Sequence, residues 1–259
     1  HQRHPDWVRF TPGLDHRAPT CMRYPQATPY AFSVTPEGVG HIEELARLCP
    51  AGAFLMQDRE RVDTRMFGAI VLAAGADLFA PAELDYLSRG RSPDVLTGLE
   101  YERILSASGP TRGELLRPSD GRTPRRIAWI QCVGSRNAEN PNCSRICCQG
   151  AVKHALELKD LNPDMEVFIL YRDMRMYGML EDYYTEARRR GVMFCRFKED
   201  RPPEVRTNGS GVEVTFTDHV LGRPIRIAAD AVVLSAATVA NDTEELASFL
   251  KVPRNAEGF

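Results

Sequence analysis

A chain of 259 residues with 43% apolar content is long enough for one large or two modest domains with a real buried core. Its formal net charge of -2, with acids and bases mixed along the length, gives no electrostatic reason to expect nucleic acid or an anionic membrane as partner. No apolar run approaches the roughly 18 residues of a membrane-spanning helix, and the start carries no signal-peptide pattern. The default expectation is therefore a cytoplasmic, reducing location with no direct membrane insertion.

The chain begins at His1, and its first 36 residues carry six prolines. Such a segment reads as an extended connection, and it suggests a piece of a longer polypeptide. "HIEELARLCPAG" predicts a short helix with Ile42, Leu45 and Leu48 on one face, closed by Pro50 and Gly52. "MFGAIVLAAGADLFAP" is a continuous apolar run ending in small residues, the pattern of a buried parallel strand entering a tight turn. From Glu83 to Asp120 the chain is polar, with a helix expected around Leu99 to Ser106.

"TPRRIAWIQCVG" predicts a second buried strand, "CCQGAVKHALELKDLNP" a helix closed by Pro163, and "MEVFILYRD" a third strand. Together they make a βαβ unit of a parallel sheet. A helix from about Leu180 to Arg190 and a strand "VMFCRF" repeat the alternation. "GVEVTFTD" and "PIRIAAD" read as a hairpin or meander, "AVVLSAAT" as a further buried strand, and "DTEELASFLKV" as a terminal helix capped by Asp242 or Thr243. The fold class is α/β.

Four of the seven cysteines fall at one place. Cys132 ends a predicted strand, and Cys143, Cys147 and Cys148 open the next helix. In parallel sheets this junction is where ligands bind, because the helix end offers free N–H groups and a positive dipole. A nucleotide-binding enzyme would carry G-x-G-x-x-G there; this loop carries thiols. Clustered cysteines in a reducing compartment bind metal or do redox work more often than they form disulfides. The spacing is not the C-x2-C of zinc fingers or simple ferredoxins. A cubane can take adjacent cysteines on two of its corners, whereas a single tetrahedral zinc strains to hold both neighbours. An iron-sulfur cluster, a zinc ion and ordinary packed thiols all stay open on the residues alone.

Other residues carry weaker signals. Arg136 and Arg145 flank the thiols and could balance negative charge, or be solvated loop arginines. Tyr171, Arg172 and Asp173 close the third strand where a nucleotide enzyme would read a ribose, but the glycine fingerprint is missing. Cys21, Cys49 and Cys195 are solitary and read as packed or loop residues. His41, His154 and His219 have no metal spacing, and no nucleophilic triad or carboxylate pair is present.

The segments "IAWIQCVGSR", "NCSRICC", "AVKHALELK" and "YRDMRMYG" resemble the A subunits of heterodisulfide reductase and their bacterial relatives. The similarity continues through "RYPQATPYAFSV", "CPAGAF", "AIVLAAGADLFAP", "SGPTRGELLRPSDG" and "ADAVVL". The resemblance implies a flavin and iron-sulfur electron-transfer protein on a thioredoxin-reductase-like fold. It implies that Cys132, Cys143, Cys147 and Cys148 ligate one [4Fe-4S] cluster, and that FAD contacts the turn Ala73-Ala74-Gly75. A second such turn, Ser235-Ala236-Ala237, lacks the expected glycine. The N-terminal G-x-G-x-x-G unit for the ADP half of FAD is absent, and Ile42 and Leu45 stand where many relatives carry cysteines of a second cluster before Cys49.

The resemblance further implies a three-layer, parallel-sheet NAD(P)-binding-like domain inserted in an incomplete FAD-binding domain. Residues 1–36 would then be connecting segment, 37–123 part of the FAD domain with a degenerate ferredoxin-like remnant, 124–236 the NAD(P)-binding-like domain carrying the cysteines, and 237–259 the return to the FAD domain. The implied function is an electron-transfer oxidoreductase component relaying electrons between flavin and cluster, with other subunits of a heterodisulfide reductase-like complex as partners. The alternatives are an NAD(P)H-dependent FAD oxidoreductase and a non-catalytic scaffold holding zinc or no metal.

Overall fold

The computed structural model describes residues 20–21, 32–34, 36–59, 62–80, 84–107, 109–208 and 211–259. Most of the Pro-rich start lies outside the described residues. The chain divides into two compact units, His1–Ala73 and Ala74–Phe259.

In the first unit, β1 (Thr20–Cys21) pairs antiparallel with β2 (Ser33–Val34), followed by α1 (Pro36–Val39) and α2 (Ile42–Leu48). The expected helix over Ile42, Leu45 and Leu48 is α2, although none of its residues is fully buried.

The second unit holds β3 (Asp77–Leu78), β4 (Val95–Thr97), α3 (Gly98–Leu105), β5 (Arg126–Val133), α4 (Cys147–Leu161), β6 (Glu166–Tyr171), α5 (Glu181–Arg189) and β7 (Met193–Arg196). Then come β8 (Glu204–Asn208), β9 (Gly211–Thr217), β10 (Pro224–Ala229), β11 (Ala231–Ala236), β12 (Thr238–Val239) and α6 (Glu244–Leu250). Five parallel strands make the central sheet, in the order β4-β11-β5-β6-β7. Its centre reads as continuous apolar sequence because both faces are covered, and every residue of β11 is buried.

One face packs against an antiparallel sheet, β10-β9-β8, through Ala128, Ile130, Leu170, Val232 and Leu234 meeting Val205, Val214, Phe216 and Ile227. α3 and α4 pack on β11 and β5, where Trp129 meets Tyr101 edge-on at 5.1 Å. The α/β expectation holds, with three layers: helices, parallel sheet, antiparallel sheet. β4 and β8 add to the expected strands; β4 has only three residues, and β8 (EVRTN) is mostly charged and polar.

Some expectations fail. The run Met66 to Ala76 is not a buried strand: it has irregular backbone and is exposed throughout, with Ile70 at 65% and Val71 at 87%. Only Asp77–Leu78 form strand, antiparallel to β12. A strand exists only with a neighbour to take its N–H and C=O groups. Residues 66–76 have no such neighbour within either unit among the described residues. Ser235-Ala236-Ala237, read as a turn, is instead fully buried, with β11 running through Ala236 and β12 following at Thr238. At α6, Asp242 Oδ1 accepts from the Glu244 N–H at 3.2 Å, and Thr243 makes no side-chain cap. No helix among the described residues is long and apolar enough to cross a membrane.

Candidate metal centre

Successive strands β5, β6 and β7 step one way across the sheet, while β11 and β4 lie on the other side of β5. The strand order therefore reverses beside β5, and the crevice at the carboxyl ends of β5 and β11 is the expected ligand position of such a sheet. Cys132, Cys143, Cys147 and Cys148 all line one concavity at that place.

Local geometry aims each of them. Ile130 pairs with Leu234 and Val133 with Ala236, so Gln131 and Cys132 together oppose Ser235 alone. This is a β-bulge, which bends the strand and re-aims its side chains. Cys132 accordingly sits at φ 62°, where residues other than glycine are uncommon. Arg136 (φ 58°) and Arg145 (φ 63°) share that conformation in the following loop. The loop is closed by its own hydrogen bonds: Arg136 N to Asn142 O at 3.1 Å, and Asn140 Nδ2 to Gly134 O at 3.0 Å. Ser144 Oγ accepts from the Thr238 N–H at 2.8 Å, tying the loop to the end of β11. Cys147 and Cys148 form the first turn of the 15-residue α4, whose start has neither a side-chain cap nor an acidic residue. Its free N–H groups and dipole face negative charge favourably.

Hydrogen bonds to sulfur complete the arrangement. Arg136 Nη1 donates to Cys132 Sγ at 3.9 Å, and the Arg145 N–H donates to Cys143 Sγ at 3.4 Å. The Cys147 and Cys148 thiols reach the carbonyls of Ala236 and Asp173 at 3.8 and 3.9 Å. Arg136 is no solvated loop arginine: its side chain is 15% exposed and pairs with Asp173 at 2.5 Å. Asp173 also takes Arg196 at 3.0 Å, and Arg136 holds its carboxyl below the usual range. Arg145 is exposed.

Burial pushes the thiols of Cys132, Cys147 and Cys148 up, Cys147 to about 11, while Arg136 pulls Cys132 back. Cys49 behaves oppositely, lowered by the Ala53 N–H. Thiolate is the reactive form. In metal-free protein at pH 7.5, iodoacetamide should therefore label Cys49 well before Cys147, and the Cys147 rate should keep rising with pH towards about 11. Peptide mapping over a pH series checks this; early labelling of Cys147 would contradict the burial described here.

Among the described residues, no group of three or more His, Cys, Asp or Glu is arranged to hold a single metal ion. The space between the thiols is about 10 Å³, room for about one water molecule. The donor set itself is four sulfurs, with Arg136 and Arg145 beside them.

Gly134, next to the bulge, fixes that loop's start. It has φ 72°, and an added Cβ would stand 2.2 Å from the Phe79 ring. Gly134→Ala is expected to cost about 2–3 kcal/mol in urea unfolding, from strain and overpacking together. A cost under 1 kcal/mol would mean that Phe79 swings away freely.

Gln131, Ser144 and Arg175 also line the concavity, and cysteine spacing gives no hint of them; Asp173 reads from the sequence only as the close of the third strand. Gln131 alone leaves a trace: it is the polar residue inside the apolar run IAWIQCV. Ala73, Ala74 and Gly75 are exposed in irregular backbone; Gly75 has φ 77°, and Ala74 O accepts from Asn241 Nδ2 at 2.8 Å. Cys195 is half-buried in β7, with its thiol pushed up to about 11 by burial. His154 is buried and paired with Glu157 at 3.0 Å.

No protein-family model matches the chain. It is 34% identical over 257 residues to the A subunit of the H(2):CoB-CoM heterodisulfide,ferredoxin reductase of Methanothermobacter thermautotrophicus, covering 96% of this chain and 38% of that one. Identity is 37% over 257 residues to the A subunit of the H(2)/formate:CoB-CoM heterodisulfide,ferredoxin reductase of Methanococcus maripaludis, covering 96% and 39%. It is 34% to the second iron-sulfur A subunit of the CoB--CoM heterodisulfide reductase of Methanopyrus kandleri, with the same coverage of 96% and 39%. The chain thus spans well under half the length of these relatives. Among solved structures, the Cu(II) complex of the flavoprotein disulfide reductase RclA from Escherichia coli matches with a TM-score of 0.40 and 14% identity, covering 71% of this chain and 33% of that one. Thioredoxin reductase of T. acidophilum matches with a TM-score of 0.32 and 18% identity, covering 52% and 38%.

Proposed function

The chain belongs to the family of heterodisulfide reductase A subunits, and from that premise we propose that it is an electron-transfer oxidoreductase segment holding a [4Fe-4S] cluster through Cys132, Cys143, Cys147 and Cys148. The observation that carries this reading is the convergence of those four thiols on one concavity at the strand-order reversal. When bound, such a cluster supplies one-electron exchange.

The chain's own residues do the rest. The bulge at Cys132 and the first turn of α4 hold three thiols on rigid elements, and the loop brings the fourth. Arg136, steadied by Asp173, sets positive charge against Cys132. The α4 N–H groups favour a negatively charged occupant from beneath. No proton-transfer residue is required of such a site.

The flavin belongs to the same proposal. FAD would be met at Ala73-Ala74-Gly75, within a partial FAD-domain segment of 37–123, with 237–259 returning to it and 124–236 as the inserted domain. Partners would be further subunits of a heterodisulfide reductase-like complex, at a cytoplasmic location, where reducing conditions suit clustered thiols.

The alternatives have less support. A nicotinamide nucleotide would need the β5–α4 junction for its phosphates, and that junction carries thiols; Asp173, at the strand end where such an enzyme would read a ribose, is held by Arg136 and Arg196. A single tetrahedral zinc ion would strain to take the adjacent Cys147 and Cys148 as two of its ligands.

The test is anaerobic reconstitution with iron and sulfide, followed by iron, zinc and acid-labile sulfide assays. About four irons and four sulfides per chain are expected. Zinc alone, or no metal, would overturn the proposal.

A further inference from the structure

Gln131 is 1% exposed, and neither its Oε1 nor its Nε2 has a hydrogen-bond partner. Buried polar groups are nearly always paired, so an orphaned amide needs an explanation. Its position supplies one: Gln131 sits in the bulge beside Cys132 and lines the same concavity as the four thiols. The strand alternation sets it in the row of Ile127 and Trp129, both buried at 1% or less, where an apolar side chain would pack at no polar cost.

Resting on the ligand reading above, we propose that Gln131 Nε2 is a hydrogen-bond donor to a sulfur of the group held by Cys132, Cys143, Cys147 and Cys148. Its role is to raise that group's reduction potential. An N–H aimed at sulfur stabilises the extra negative charge of the reduced state, and in a site shielded from water that effect is strong. Arg136 acts from the rim and is shared with Asp173. Gln131 acts from within, and in the metal-free fold its amide has no competing partner. It is a positioning and tuning residue rather than a catalytic one.

The test compares wild type, Gln131→Leu and Gln131→Met after reconstitution. The first readout is iron per chain. No iron in the wild type overturns the ligand set and this inference with it. With iron bound, redox-poised EPR should show both variants harder to reduce, by about tenfold in the equilibrium, 59 mV for a one-electron couple. An unchanged potential in the loaded variants overturns the role of Gln131 and leaves the ligand set standing. The second readout is urea unfolding of metal-free protein. Gln131→Met, which keeps the unbranched shape, should be at least as stable as wild type, because it removes an unpaired amide. Lower stability would show that the amide has a partner in the metal-free fold, and would also overturn the proposal. Gln131→Leu guards against the Met thioether itself approaching iron; should Gln131→Leu not load, Gln131→Met carries the same potential measurement.

Discussion

Cys147→Ala is expected to remove nearly all bound iron from the reconstituted chain while leaving its α/β core folded. The loss follows from position: Cys147 is on the first turn of α4, and its thiol lines one concavity with the other three. The core survives because Cys147 is only partly buried, and Ala is a better helix former than Cys. Iron and sulfide assays with far-UV circular dichroism read both halves of the expectation. Full iron in the variant would remove Cys147 from the ligand set. Collapse of the fold would mean that this thiol is packing rather than ligand.

Glu100→Ala is expected to cost about 3–5 kcal/mol, the range for breaking a buried charge pair from one side. Glu100 is 2% exposed, and its two oxygens serve two elements. Oε1 takes Arg89 at 2.5 Å; Oε2 takes the Thr97 N–H at 2.7 Å, closing a capping box at the start of α3. Arg89 also donates to the Val95 carbonyl at 3.0 Å, so the same network fixes edge strand β4. Removing the carboxylate leaves a guanidinium, 14% exposed, without its counter-charge, and the Thr97 N–H without its acceptor, while the Thr97 hydroxyl still accepts from the N–H of residue 100. Urea unfolding measures the loss, and Glu100→Gln should recover the acceptor for the Thr97 N–H while still lacking the charge. A cost below 1 kcal/mol for the Ala variant would mean that water reaches Arg89 and replaces the pair.

Much of this architecture was legible in the chain. The runs around Trp129, Ile169, Val214 and Val233 announce strands because burial on both faces, or on one, leaves a local pattern of apolar residues. The helix after Cys148 shows its face through Ala151, Ala155 and Leu158, all buried in α4. The clustering of four thiols at one strand-helix boundary was equally visible, since spacing along the chain and position on elements coincide there.

The apolar run from Met66 shows where that legibility stops. Its composition is that of a buried strand, yet strand structure is a property of two neighbours, and composition names only one of them. Arg136 and Asp173 lie 37 residues apart and meet only because β5 and β6 are adjacent. Gln131 is one polar residue in an apolar strand, and its orphaned amide is visible only once the side chains around it are in place.

By itself, then, the sequence determined the alternation of strands and helices and the grouping of cysteines at one junction, because both are written in short-range periodicity and spacing. The tertiary structure decided the strand order that sets β11 beside β5, and the bulge that turns Cys132 into the crevice. It also decided the pairing of Arg136 with Asp173 and the burial of Gln131 among the thiols. Each of these joins residues far apart in the chain, through hydrogen bonds and packing that no local pattern encodes.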